Sequence, residues 1–359
     1  MRARGQALAI LGTTLSLPGA SALARIGKQP TPSDTTVAGI STTVVRPSSS
    51  PPWPVLVFMN GATPEGRRHP KVHRLGLALA RAGVGVYIPD VPGVAGGELS
   101  PDTLAHSVAV AEAAAGSPEA ADGRVALAGV SIGGTLALLA AADTRLQQRI
   151  SVVACVAPFG DLAEVMRLAT TGTHRDGQGL HAAPPYLRVG LARSLAAMLA
   201  VTPATEALCR ALRALDPDSS PPMELPEEAF RRAGVDADRL YDLLANTDPA
   251  RFDGLYDSLP AHVRLAAVSL SPVHVARHLH APVEIATAPH DRYFPLAEAQ
   301  ALAAASPRVR ITVTSLLAHA TPRLSARYVA ELRGLDAFFV RTLKAASSRP
   351  PLQSPVAET

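Results

Sequence analysis

The sequence predicts an α/β protein: a mostly parallel, doubly wound sheet covered by helices, with a large helical cap inserted over one end. Three observations predict it. Short apolar runs such as Val55-Leu56-Val57-Phe58-Met59 and Ile150 to Val156 suit strands covered on both faces. These runs alternate with stretches of helical periodicity, which implies a parallel, helix-covered sheet. From residue 162 to 270 the alternation stops and the chain reads as helix after helix, broken by HAAPPY, DPDSSPPMELP and NTDPARFDG, which marks the cap.

The elements follow in order. Residues 1–30 form a leader and linker. Two arginines precede an apolar run from Ala7 to about Leu17, and small residues with A-x-A spacing follow at Ala20 to Ala24, so the segment resembles an export signal. A frayed amphipathic start is the alternative. Export or membrane association is therefore expected over a cytoplasmic site. No later stretch offers about 18 apolar residues without charge or breaker, so no second membrane span is expected.

Lys28 to Asp34 reads as linker, and Thr35 to Val45 as an edge strand pair. A turn at SSSPPWP leads to the strand Val55–Met59 and the loop Asn60 to Gly66. A helix through Leu75 to Ala82, the strand Gly85 to Ile88, and a helix from Pro101 to about Ala115 come next. The strand Val125 to Ala128 then enters Gly129-Val130-Ser131-Ile132-Gly133, with an Ala- and Leu-rich helix from Gly134 onward. Ile150 to Val156 completes the first part of the core, residues 31–161. The second part, residues 271–345, holds the strand Pro282 to Thr287, the helix Leu296 to Ala305, the strand Val309 to Leu317 and a closing helix from Leu324 to about Lys344. Residues 346–359 have the composition of a disordered tail.

With 359 residues, 47% hydrophobic and 18% charged, the chain can bury a large core, and its length favours a main domain with an insertion. The formal charge of +4 comes from scattered arginines, aromatic content is 4%, and no nucleic-acid module is present. A solvated basic surface is therefore expected, with no nucleic-acid partner. Cys155 lies in a strand-like run and Cys209 in a distant helical one, so two buried thiols are expected rather than a disulfide.

The chemistry starts at G-V-S-I-G. A serine held between strand end and helix start is pushed out of the sheet, and glycines two before and two after remove the Cβ atoms that would collide there. Its hydroxyl needs a base to take the proton and a third group to hold that base in the right tautomer. In an open parallel sheet these groups belong at the carboxyl ends of strands. Asp291 follows the strand ending at Thr287, and His319 follows the strand ending at Leu317. Asp161, also at a strand end, is the alternative acid, and Asp291 has the competing role of helix N-cap.

The order Ser131, Asp291, His319, with the cap inserted before the acid, resembles the α/β-hydrolase superfamily over about residues 35 to 345, and within it the serine-esterase and dienelactone-hydrolase-like branches. G-V-S-I-G and H-D-R-Y-F-P, followed by a histidine one strand later, carry the resemblance. Dienelactone hydrolases use cysteine; here the residue is Ser131, so their lactone substrate does not carry over. Many members have His-Gly after the third strand, where this chain has Asn60-Gly61-Ala62. The resemblance implies a carboxylic-ester hydrolase. Ser131 attacks the carbonyl, His319 accepts the proton, Asp291 orients the ring, and the N–H groups of Ile132 and of Ala62 or Gly61 hold the oxyanion.

The remaining polar residues are assigned plainer roles. Asp90 reads as a turn residue and Glu65 and Arg67 as solvated loop charge. Tyr186 and Phe252 read as packing inside the cap rather than walls of an acyl site. His290 shapes the acid loop, and His274, His278 and His280 lie on an exposed helix. His69, His73, His174 and His181 show no pattern for a metal, and neither metal nor cofactor is expected. The expected partner is a small-molecule acyl ester; oligomeric state is left open. The same triad also serves an acyltransferase, peptidase or perhydrolase, and a binding protein that has lost turnover is the reading from another class.

Overall fold

The computed structural model describes residues 4–7, 10, 12, 29–174, 183–216, 224–291, 293–317 and 326–348. An antiparallel hairpin opens the sheet: β1 (Thr31–Val37) and β2 (Ile40–Arg46), joined by Ala38 and Gly39 at φ 48° and 80°. Positive φ at both central positions is type I′ geometry, whose twist matches that of paired strands. Thr31 to Asp34, expected to be linker, are thus strand. Their polar composition and Pro32 fit because β1 is an edge.

The chain continues through β3 (Trp53–Met59), α1 (Pro70–Arg81), β4 (Gly85–Pro89), α2 (Pro101–Ala115), β5 (Ala120–Val130), α3 (Ile132–Ala142) and β6 (Ile150–Val156). The cap follows as α4 (Leu162–Thr171), α5 (Pro185–Ala197), α6 (Pro203–Arg213), α7 (Glu227–Ala233), α8 (Val235–Ala245), α9 (Phe252–Ser258) and α10 (Ala261–Ser269), with no strand among its described residues. The core resumes with α11 (Pro272–Val275), β7 (Val283–Thr287), α12 (Leu296–Ala305), β8 (Val309–Val313) and α13 (Ala326–Ala346). The eight strands lie in the order β1-β2-β4-β3-β5-β6-β7-β8, parallel from β4 to β8.

Period-two alternation divides the sheet's side chains between two layers. Val55, Val57, Met59, Val125, Leu127, Val153 and Cys155 join the apolar cluster that holds α2, α3, α12 and the cap. Leu56, Phe58, Ala126, Ala128, Val152 and Ala154 face the opposite cluster with α1 and α13. Ala7 and Ile10, both fully buried, belong to that second cluster, and Gln6 Nε2 donates to Ala82 O at 2.7 Å. Among the described residues no helix is long and apolar enough to cross a membrane.

Local signals fix the helix starts. Ser100 and Thr103 form a capping box around Pro101, each side chain accepting the other's backbone N–H at 3.3 and 2.9 Å. β8 is shorter than expected, ending at Val313. Thr314 N donates to Thr287 O, after which the Ser315 N–H and hydroxyl both donate to Glu331, at 3.0 and 2.5 Å, and the chain turns away.

The cap is bolted to the core. Arg193 on α5 is buried and donates to Gly96 O at 2.7 Å, Leu212 O at 3.0 Å and Leu215 O at 2.8 Å, so one guanidinium ties α5 to the loop after β4 and to the end of α6. Beside it Ser194 Oγ accepts the Leu99 N–H at 2.9 Å, and Arg213 pairs with Glu98 at 2.9 Å.

Both cysteines are free, as expected, but only Cys155 is fully buried; Cys209 is half-buried. Burial raises the Cys155 thiol far above its usual range because the thiolate is disfavoured away from water. Alkylation of the folded protein by iodoacetamide at pH 8 is therefore expected to modify Cys209 and leave Cys155 intact. Peptide mapping checks it; modification of Cys155 at the same rate as in denaturant would contradict the buried position.

Candidate active site

Ser131 stands between β5 and α3 with φ 54° and ψ −128°, a conformation that costs a non-glycine residue about 1–3 kcal/mol. The surroundings hold it there. Its N–H donates to Val156 O at 2.8 Å, and its carbonyl accepts from Gly134 N at 2.8 Å and Thr135 N at 3.1 Å. The flanking glycines permit contact between backbones. A Cβ on Gly129 would lie 2.3 Å from Gly133 O, and one on Gly133 would lie 2.2 Å from Met59 O. The start of α3 is thus pressed against the ends of β5 and β3, and Ser131 is left half-buried at the rim.

The two expected oxyanion donors flank it. Ile132 is the first residue of α3, where a backbone N–H has no acceptor within the helix. Gly61 lies so close that a Cβ there would be 3.6 Å from Ser131 Cβ and 3.2 Å from Val130 O, which brings the loop carrying Ala62 alongside Ser131. Asn60 is buried and donates from Nδ2 to Gly66 O at 2.5 Å, closing that loop on itself.

A cavity of about 50 Å³ opens between Ser131 and the cap. Ala62, Ile132 and Phe159 line it from the core, and Tyr186, Leu187 and Leu191 from α5. Phe159 packs against Phe294, which also lines it, with ring centroids 5.2 Å apart. Tyr186, expected only to pack inside the cap, is thus a cavity wall. Phe252 does pack internally, under the Arg167 guanidinium at 4.3 Å. A second, larger cavity of about 260 Å³ lies beyond Gly61, at the ends of β3 and β4, with Asn60, Glu65 and Asp90 among its walls.

Asp291 follows β7 as expected and is not the helix cap: α12 has Pro295 in that position. Its Oδ1 accepts from Tyr293 N at 2.8 Å and Phe294 N at 3.0 Å, which fixes the carboxylate over the loop that carries Phe294 to the cavity. His319 lies outside the described residues. The alternative acid Asp161 is engaged structurally, capping α4 through Ala163 N at 2.9 Å and meeting Ser271 Oγ at 3.5 Å.

One expectation for a charged residue is overturned. Arg67 is not solvated loop charge: its side chain is 8% exposed and lies between Asp90 and Asp34. Asp34 lies in β1 and Asp90 just after β4, both distant in sequence, so no local pattern announced them. His174 pairs with a carboxylate that the sequence did not single out, its Nε2 being 2.6 Å from Glu298 Oε1. Glu298 Oε2 also accepts the Gly160 and Asp161 N–H groups, at 2.6 and 2.9 Å, so this buried side chain joins the end of β6 to the start of α12. The pair is 124 residues apart. In sequence Glu298 reads only as an acidic residue in the first turn of a helix. Among the described residues no group of three metal-ligating side chains converges.

Comparison with known proteins adds a family and a fold. The family model described as X-Pro dipeptidyl-peptidase (S15 family) matches residues 37–219, which include Ser131 and end before Asp291. Among solved structures, an acylaminoacyl peptidase in complex with Z-Gly-Gly-Phe-chloromethyl ketone is 11% identical with a TM-score of 0.53, covering 93% of this chain and 44% of its own. A puromycin-hydrolyzing peptidase of Mycobacterium tuberculosis is 17% identical with a TM-score of 0.50, covering 88% of this chain and 39% of its own. The chain therefore spans less than half the length of either. No curated protein sequence matches it.

Proposed function

Given that this chain belongs to the X-Pro dipeptidyl-peptidase (S15) family, and is a serine hydrolase of the α/β-hydrolase type, we propose that it cleaves esters of short, apolar carboxylic acids through an acyl-enzyme. The supporting observation is Ser131 itself, held in a strained conformation at the mouth of a small apolar cavity.

In this reading Ser131 Oγ attacks the carbonyl carbon as His319 takes the hydroxyl proton, and Asp291 stabilises the imidazolium. The carbonyl electron pair moves onto oxygen, where the Ile132 and Ala62 N–H groups receive it; each such donor is typically worth about 3 kcal/mol. Collapse expels the alcohol, protonated by His319, and leaves Ser131 acylated. Water, deprotonated by His319, then releases the acid and restores the serine.

Cavity size sets the acyl length. At roughly 10–15 Å³ for each water-sized occupant, 50 Å³ takes about four small groups, an acetyl to butyryl chain. A second reading, release of a peptide or amide, is favoured by the family match; a prolyl ring is also compact and apolar enough for this cavity.

Three measurements separate these readings. A fluorophosphonate probe is expected to label wild type and neither Ser131→Ala nor, at a comparable rate, His319→Gln; an unlabelled wild type points instead to a binding protein. Among p-nitrophenyl esters, acetate to butyrate should be turned over at least about tenfold faster than octanoate. Cleavage of X-Pro p-nitroanilides with no cleavage of any ester would replace the first reading by the second.

A further inference from the structure

The loop that would supply the second oxyanion donor is held from outside the cavity. Between Asn60 and Arg67 it is pinned at both ends: Asn60 Nδ2 donates to Gly66 O at 2.5 Å, and the Arg67 N–H donates to Asp90 Oδ1 at 2.8 Å. Gly66 sits at φ 53°, and a Cβ there would be 2.5 Å from Asp90 Oδ1, so the carboxylate is packed tightly on the loop's backbone. Asp90 is itself fixed, its N–H donating to Ser41 O at 2.8 Å.

The Arg67 guanidinium completes the arrangement. Its Nε lies 3.3 Å from Asp90 Oδ2 and its Nη2 3.7 Å from Asp34 Oδ2. Asp34 is anchored on β1, where its Oδ1 accepts the Thr43 hydroxyl at 2.6 Å. Nε and Nη1 are nevertheless buried without a hydrogen-bond acceptor among the described residues. Buried donors left unmade are rare in native folds and ask for a reason. Here the attraction is one of charge: a cation buried between two carboxylates draws the loop against the sheet edge while Gly61 and Ala62 stay beside Ser131.

We propose that Arg67, Asp90 and Asp34 form a clamp of positioning residues that keeps the Ala62 N–H in place for the oxyanion. None of the three lines the cavity beside Ser131, so the clamp acts through the loop and not on the acyl group. The kinetic consequence rests on the hydrolase reading above; the structural one does not.

The test pairs the two. In full-length protein, amide hydrogen exchange across residues 60–66 is expected to speed up about tenfold or more in Asp90→Ala, with exchange in β5 and α3 unchanged. On p-nitrophenyl acetate the same variant should lose about 10²-fold in kcat with KM within about twofold, because an oxyanion donor acts on the transition state and not on the bound ester. Affinity for a trifluoromethyl ketone should fall by the same factor as kcat/KM. Arg67→Met should match it, and Arg67→Lys, which keeps the charge, should recover most of the loss. Unchanged exchange at residues 60–66, or kcat near wild type in folded Asp90→Ala, overturns the clamp. Should that variant not fold, Asp34→Asn on the exposed hairpin decides, with faster exchange confined to the same loop supporting the clamp and no change rejecting it. Failure of wild type to take a fluorophosphonate sinks the hydrolase reading alone, since the exchange result still judges the clamp.

Discussion

Ser131→Gly is expected to abolish turnover and raise the melting temperature. The native residue occupies φ 54°, where a side chain is strained by about 1–3 kcal/mol and glycine is not. Glycine's greater freedom in the unfolded chain returns about 0.5–1 kcal/mol of that gain, so a net stabilisation of about 1 kcal/mol should remain. In a chain of this size that is about 1 °C. Ser131→Ala keeps the strain and loses only the hydroxyl, so its melting temperature should stay near wild type. Both should lose about 10⁴-fold or more in kcat/KM on p-nitrophenyl acetate. Differential scanning calorimetry beside the assay reads the pair; a destabilised glycine variant would mean that the backbone is not strained there.

The second large effect is expected at Gly133→Ala. A Cβ at this position meets Met59 O at 2.2 Å, Asn60 O at 2.3 Å and Met59 C at 2.6 Å. All three are backbone atoms of β3 or the residue after it, so no flexible side chain can give way. The start of α3 must move off the sheet, with an expected loss of about 3 kcal/mol or more. If the variant folds, the shift displaces Ser131 from the donors and should cost about 10²-fold in kcat. Gly134→Ala is the control. Its neighbours, Gly129 O, Cys155 Cβ and Pro158 Cβ, lie at 3.2 to 3.3 Å, and two of them are side-chain atoms that can adjust by tenths of an ångström. Equal urea midpoints for the two variants would show that the contact at Gly133 is softer than described.

What was legible in the sequence was what local chemistry determines. Continuous apolar runs gave β3, β5 and β6, the helical periodicity from Pro101 gave α2, and G-V-S-I-G gave the elbow, because each depends on neighbours a few residues away. The hairpin β1 was obscured at Pro32, which a central strand would not tolerate and an edge strand does. Arg67 was misread for a different reason. Arg67 is a surface residue by every local criterion, and only the antiparallel pairing of β2 with β4 brings Asp34 and Asp90 to it. Glu298 and His174 meet only once β6 and α12 have packed, and a first-turn glutamate has no feature that separates a buried bridge from a helix-end charge.

Arg193 has a consequence for how such a molecule can be altered. Its guanidinium satisfies carbonyls of both the inserted helices and the loop ahead of α2, so excision of residues 162–270 would strip the Gly96 carbonyl of its donor and uncover Ser131 at once. The insertion is a structural wall of the cavity beside Ser131, and a foreign roof grafted onto this scaffold must bring its own donor for Gly96 O.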